Sequence, residues 1–109
     1  MMMCFGVIDS LKINNEFTDS SENNIIFYYG HNGWIYGDGK WDALIRTNIK
    51  PKEGGTVLMS VSILKGEIYW EIDGKKTESY FMDRLKDKSI KWVPYILMYC
   101  IGDEVVWME

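Results

Sequence analysis

Apolar and polar residues alternate with a period of two along much of the chain, the spacing of a half-buried β-strand. In Val57-Leu58-Met59-Ser60-Val61-Ser62-Ile63-Leu64, the residues Val57, Met59, Val61 and Ile63 fall on one side, Ser60 and Ser62 on the other. Glu67-Ile68-Tyr69-Trp70-Glu71-Ile72-Asp73 repeats the pattern, with Ile68, Trp70 and Ile72 predicted inward and the carboxylates outward. Leu64-Lys65-Gly66-Glu67 links the two as a tight hairpin, and Asp73-Gly74-Lys75-Lys76 supplies the next turn. Further strands are predicted in the opening Met1 to Ile8, in Ile25 to Tyr29 closed by Gly30, and briefly in Trp34-Ile35-Tyr36.

Toward the end, Trp92 to Ile101 and Glu104 to Met108 read as strands joined through Gly102-Asp103. Pro94 lacks an N–H for a ladder and places its strand at an edge or beside a bulge. Only Ser79 to Leu85 has a helical trait: Ser79 can cap, and Phe81 and Leu85 are four apart. Glu16 to Asn24 and Ile49 to Gly55 read as loops. Short strands, close turns and little helix predict an all-β fold, a sandwich or barrel.

The 109 residues suit one domain spanning 1–109, with no linker or internal repeat. Twelve basic against sixteen acidic residues leave a net charge of −4, which speaks against nucleic-acid binding through a positive face. The opening apolar stretch is too short for a membrane span and has no basic start, so no membrane partner is expected. Cys4 and Cys100 sit in apolar runs; buried thiols are the simpler reading and a disulfide the other, and the thiol reading places the protein in a reducing, cytoplasmic compartment. Without a Cys-x-x-Cys pair, and with His31 the single histidine, no zinc site is expected.

Several stretches resemble the SPRY domain family. Lys52-Glu53-Gly54-Gly55-Thr56-Val57 opens a strand, Gly66 to Lys75 forms its hairpin partner, and Trp92-Val93-Pro94-Tyr95-Ile96 followed by Gly102-Asp103-Glu104-Val105 completes the later half. Phe5-Gly6-Val7-Ile8-Asp9, Tyr28-Tyr29-Gly30 and Gly33 to Gly37 fit the family's middle strands, so the likeness covers most of residues 4 to 108. The family's Gly-Asp before its long strand is Gly54-Gly55 here, and its Asn-Gly turn is Asp73-Gly74. The strands that a SPRY domain has before its Phe-Gly strand are lacking. The chain is then a truncated unit, a partner to another chain that supplies them, or the continuation of an upstream segment. The resemblance implies an antiparallel two-sheet sandwich of the concanavalin-like jelly-roll kind, and a non-catalytic role in which loops at one end hold peptides or folded partners.

His31 has no orienting carboxylate in its own segment and reads as a loop residue rather than a general base. Glu67, Glu71 and Asp73 line one strand face, which suits a solvated sheet better than a pair of glycosidase acids. Asp38, Asp42, Asp103 and Glu104 lack the dense spacing of a calcium loop, so neither metal nor other cofactor is expected. Aromatic residues make up 15% of the chain. Trp70 and Trp107 fall on alternating strand positions and are predicted core. Trp34, Tyr36 and Trp41 lie among glycine and polar residues, the composition of a recognition surface, although they could also cap an open end of the sandwich. The predicted partner-binding set is His31, Asn32, Trp34, Tyr36, Asp38 and Trp41, on a protein-interaction module for a peptide or protein. The alternatives are a carbohydrate-binding lectin-like domain, and a structural subunit or homo-oligomer that pairs through an exposed strand edge.

Overall fold

The computed structural model describes residues 3–12, 25–52 and 54–98. The predicted loop Glu16 to Asn24 and the hairpin through Gly102-Asp103, together with Cys100 and Trp107, lie outside the described residues. Strands β1 (Met3–Asp9), β2 (Ile25–Tyr29), β3 (Trp34–Gly37), β4 (Ile45–Arg46) and β9 (Trp92–Met98) form the first sheet, in the order β4-β3-β2-β1-β9. The second sheet contains β5 (Val57–Ser62), β6 (Glu67–Ile72), β7 (Lys75–Lys76) and β8 (Tyr80–Phe81), in the order β5-β6-β7 with β8 also on β6. Every pairing is antiparallel. The fold is an all-β sandwich of two antiparallel sheets. Among the described residues, no helix is long and apolar enough to cross a membrane.

The alternation read from β6 is the one that builds the core. Ile68, Trp70 and Ile72 are fully buried and meet Val7, Ile26, Tyr28 and Ile35 from the first sheet, while Met82 and Leu85 close one end. Burying an aliphatic or aromatic side chain of this kind contributes about 1.5–3 kcal/mol from apolar area. The indole N–H of Trp70 crosses between the sheets and donates to the Phe5 carbonyl at 3.0 Å. The hydroxyl of Tyr28 donates to the Ile49 carbonyl at 2.6 Å, so both buried polar groups are satisfied.

Asp73 and Gly74 hold φ of 51° and 83°, the doubly left-handed backbone of a two-residue hairpin, and they join β6 to β7. Asp73 leaves the outward row predicted with Glu67 and Glu71. Its carboxylate accepts the backbone N–H groups of Lys52 and Thr56, each at 2.8 Å, which holds its pKa below the usual carboxylate range.

Three local expectations change. Ile63 is 44% exposed because β5 ends at Ser62 and the chain has already entered the turn. Tyr80 and Phe81 pair with Ile68 and Glu67 as a strand, so the only helical turn in this segment is a 3-10 turn over Asp83–Lys86. The buried pair is Met82 and Leu85, three apart, as the tighter turn requires; Phe81 points to solvent. The opening strand is interior to its sheet. β1 pairs with β2 on one side and with β9 on the other. Pro94, opposite Val7, sits in β9, which ends the sheet among the described strands and so tolerates the missing donor.

Candidate functional site

The register of the first sheet gathers an aromatic cluster on its outer face. In β3, Ile35 enters the core, so Trp34 and Tyr36 point the other way. Tyr29 is opposite Trp34 and Phe27 opposite Tyr36. Tyr36 is the hub of the cluster: its ring lies 5.7 Å from Phe27, stacked, 6.3 Å from Tyr29, edge-on, and 6.5 Å from Trp34. Pairs at these separations add about 0.5–1.5 kcal/mol each beyond their buried area.

Gly6 extends the row across β1. It is paired with Phe27 on one side and Tyr95 on the other. A Cβ at Gly6 would overlap the Ile26 carbonyl oxygen and approach Phe27 Cα to 2.6 Å. With hydrogen alone there, Phe27 and Tyr95 bring their rings to 6.5 Å over the intervening backbone. A glycine between aromatic neighbours thus joins three strands into one surface.

The β2–β3 turn positions the polar rim. Gly33 closes it by donating its N–H to the Tyr29 carbonyl at 2.8 Å. The side-chain oxygen of Asn32 accepts the Trp34 N–H at 2.9 Å, and its amide nitrogen donates to the Tyr36 hydroxyl at 2.7 Å. Asn32 therefore fixes the turn and orients the hub tyrosine together. His31 is exposed at the turn's tip, its ring 5.7 Å from that of Tyr29. On the β4 side, the Arg46 guanidinium lies 4.8 Å from the centroid of the Trp34 ring. Arg46 Nη2 also donates to both Asp42 oxygens at 2.8 and 2.9 Å. That bond, aided by the Ala43 N–H, holds the Asp42 carboxyl below its usual range.

Of the predicted set, the structure brings together His31, Asn32, Trp34 and Tyr36. Asp38 lies past the other end of β3, where φ is 52° and its carboxylate accepts the Tyr80 hydroxyl at 2.5 Å, linking the two sheets. Trp41, 79% exposed, belongs to the β3–β4 connection and makes no ring contact with the cluster. Phe27, Tyr29, Tyr95 and Arg46 were not in the predicted set. The parity of Ile25 to Tyr29 puts Phe27 and Tyr29 on one face, but the run is apolar throughout and does not mark which face is outward; Tyr95 and Arg46 carry no such signal. Among the described residues, no group of three or more His, Cys, Asp or Glu is placed to hold a metal ion. Compared with protein-family models, curated proteins and solved structures, the chain matches none.

Proposed function

We propose that the protein is a non-catalytic interaction module that takes a peptide or protein partner on the aromatic outer face of its first sheet, beside the β2–β3 turn. The reading agrees with the SPRY resemblance, with a cytoplasmic setting in which its cysteines stay reduced, and with a site that needs no cofactor. The observation that carries it is the ring network of Trp34, Tyr36 and Tyr29, half-buried and held by Asn32. Rigid aromatic side chains presented this way lose little conformational entropy on contact, and aromatic anchors dominate binding energy at interfaces. Trp41 and His31 extend the accessible surface at either end of β3.

A displayed random-peptide library selected on the wild-type domain provides the test. Selected peptides should lose at least about 2 kcal/mol of binding, some thirtyfold in Kd, with Trp34→Ala, while the melting curve stays two-state. Peptides indifferent to Trp34→Ala and to Tyr36→Ala overturn the reading. Glycan-array binding that disappears with Trp34→Ala, with no peptide selected, replaces it with the carbohydrate reading.

A further inference from the structure

A second surface lies where the edges of the two sheets face each other. Beyond β4 the chain runs past the sandwich edge through Thr47 to Lys50, and β7 forms the opposite wall. Two cavities, of ≈ 460 Å³ and ≈ 340 Å³, share Asn48 and Ile49 in their linings and form one open trough. Five of the chain's twelve cations line it: Arg46, Lys50, Lys52, Lys75 and Lys76. The acids on the same lining are Glu78 and Asp73. Arg46 is paired with Asp42, which leaves four lysines against the charges of Asp73 and Glu78. A protein of net charge −4 therefore carries a local positive strip that its composition hides.

Both walls are fixed. Tyr28 holds the Ile49 carbonyl from the core, and Thr47 Oγ1 accepts the Ile49 N–H at 3.0 Å while donating to the Gly33 carbonyl at 2.7 Å. On the other side, the Asp73 carboxylate ties the segment at Lys52 and Thr56 to the β6–β7 turn. Ile45 and Ile49, both partly buried, give the trough an apolar component. β4 and β7 each end their sheets among the described strands, so each has one side without a neighbouring strand.

We propose that this trough binds an extended acidic segment of a protein partner, with carboxylates toward Lys50, Lys52 and Lys75, and alternate aliphatic residues toward Ile45 and Ile49. An added strand alternates its side chains with a period of two, so its carboxylates and its aliphatic residues leave it on opposite faces. Exposed Lys75 and Lys76 on the β7 edge repel a second β7, so the edge discriminates against a copy of this chain while favouring an acidic strand. The site meets the aromatic face only at Arg46, whose guanidinium lies over Trp34, and the lysines carry the proposal, so its failure would leave the proposal for that face standing.

The probe is a fluorescein-labelled short peptide alternating glutamate and valine, titrated by anisotropy into the wild-type protein at low ionic strength. Binding should be saturable, weaken as salt is raised, shift the amide resonances of Asn48 and Lys75 to Glu78, and fall at least about tenfold with Lys50→Glu/Lys75→Glu. Lys50→Ala/Lys75→Ala should give a smaller loss in the same direction, and Tyr36→Ala no change. The proposal is overturned if the peptide fails to bind, if both double variants bind as the wild type does, or if only Tyr36→Ala weakens it. A labelled oligouridylate binding as tightly as the peptide would also overturn it, by assigning the strip to nucleic acid.

Discussion

Trp70 donates its indole N–H to the carbonyl of Phe5, 65 residues earlier in the chain, and so joins the two sheets at the centre of the core. The same residue is fully buried, with its ring 6.2 Å from that of Tyr28. Trp70→Phe removes both the larger ring's packing and the donor, leaving the Phe5 carbonyl without that partner. The expected cost is about 2–4 kcal/mol, from cavity and unsatisfied-acceptor effects together. Urea unfolding should show it as a lower midpoint at an unchanged m-value; a loss under about 0.5 kcal/mol contradicts the assignment.

Gly6 and Gly74 make a matched pair for one chemical change. Alanine at Gly74, where φ is 83° and no atom lies within 4 Å of a new Cβ, meets only the left-handed backbone penalty of about 1–2 kcal/mol. Alanine at Gly6 drives its methyl into the β2 backbone, which cannot yield without breaking the β1–β2 ladder. Its cost should reach about 3 kcal/mol or more, and the Gly6→Ala protein should melt well below Gly74→Ala in parallel thermal scans.

Tyr28 and Asp73 give the stability opposite pH limits. Burial, with the charge of Asp73 as a smaller effect, pushes the Tyr28 hydroxyl up to about 12 from an ordinary 10.0. A raised pKa stabilises the fold fully below pH 10 and loses that contribution as pH rises through about 12. In an ultraviolet titration, Tyr28 should ionise late and together with unfolding, and Tyr28→Phe should shrink that late absorbance step, leaving the part due to Tyr80, whose pKa is raised as well.

At the acid end the sign reverses. The N–H groups of Lys52 and Thr56 lower the pKa of Asp73 in the folded state, so its contribution is present above the unfolded value of about 3.9 and is lost as pH falls through the folded one. The stability gap between wild type and Asp73→Ala, read from denaturant midpoints, should therefore be wide at pH 7 and narrow on acidification. A gap that does not change with pH would show that the carboxylate's charge plays no part.

How far the sequence revealed all this depends on period. Ile68, Trp70 and Ile72 were legible because strict alternation over six residues leaves one inward face, and Asp73-Gly74 because few residue pairs accept two positive φ values. β4, β7 and β8 were not legible: two residues have no period, and they are strands only because β3 and β6 pair with them. The aromatic face was half legible. Trp34 and Tyr36 stood out against glycine and polar neighbours, whereas Phe27 and Tyr29 were hidden in the uniformly apolar run Ile25 to Tyr29. The basic trough was invisible because Arg46, Lys50 and Lys52 fall in one short segment and Lys75 and Lys76 in another, and the two meet only when the sheet edges face each other.

Asp38 separates binding from architecture. Its position beside a glycine-rich turn suggested a contact residue, yet its carboxylate accepts the Tyr80 hydroxyl across the sandwich, and burial with that bond raises the Tyr80 pKa. Three substitutions isolate what it does. Asp38→Asn keeps a carbonyl acceptor and a side chain that tolerates φ of 52°, so it should cost only about 1 kcal/mol. Asp38→Gly relieves the backbone but deletes the acceptor, and should lose about 1.5–3 kcal/mol, the range for a hydrogen bond to a charged group. Asp38→Ala loses the acceptor and keeps the strain, so it should be the least stable of the three. If the order is instead flat and peptides selected on the wild type lose affinity with each variant, Asp38 belongs to the contact surface and the bond to Tyr80 is incidental.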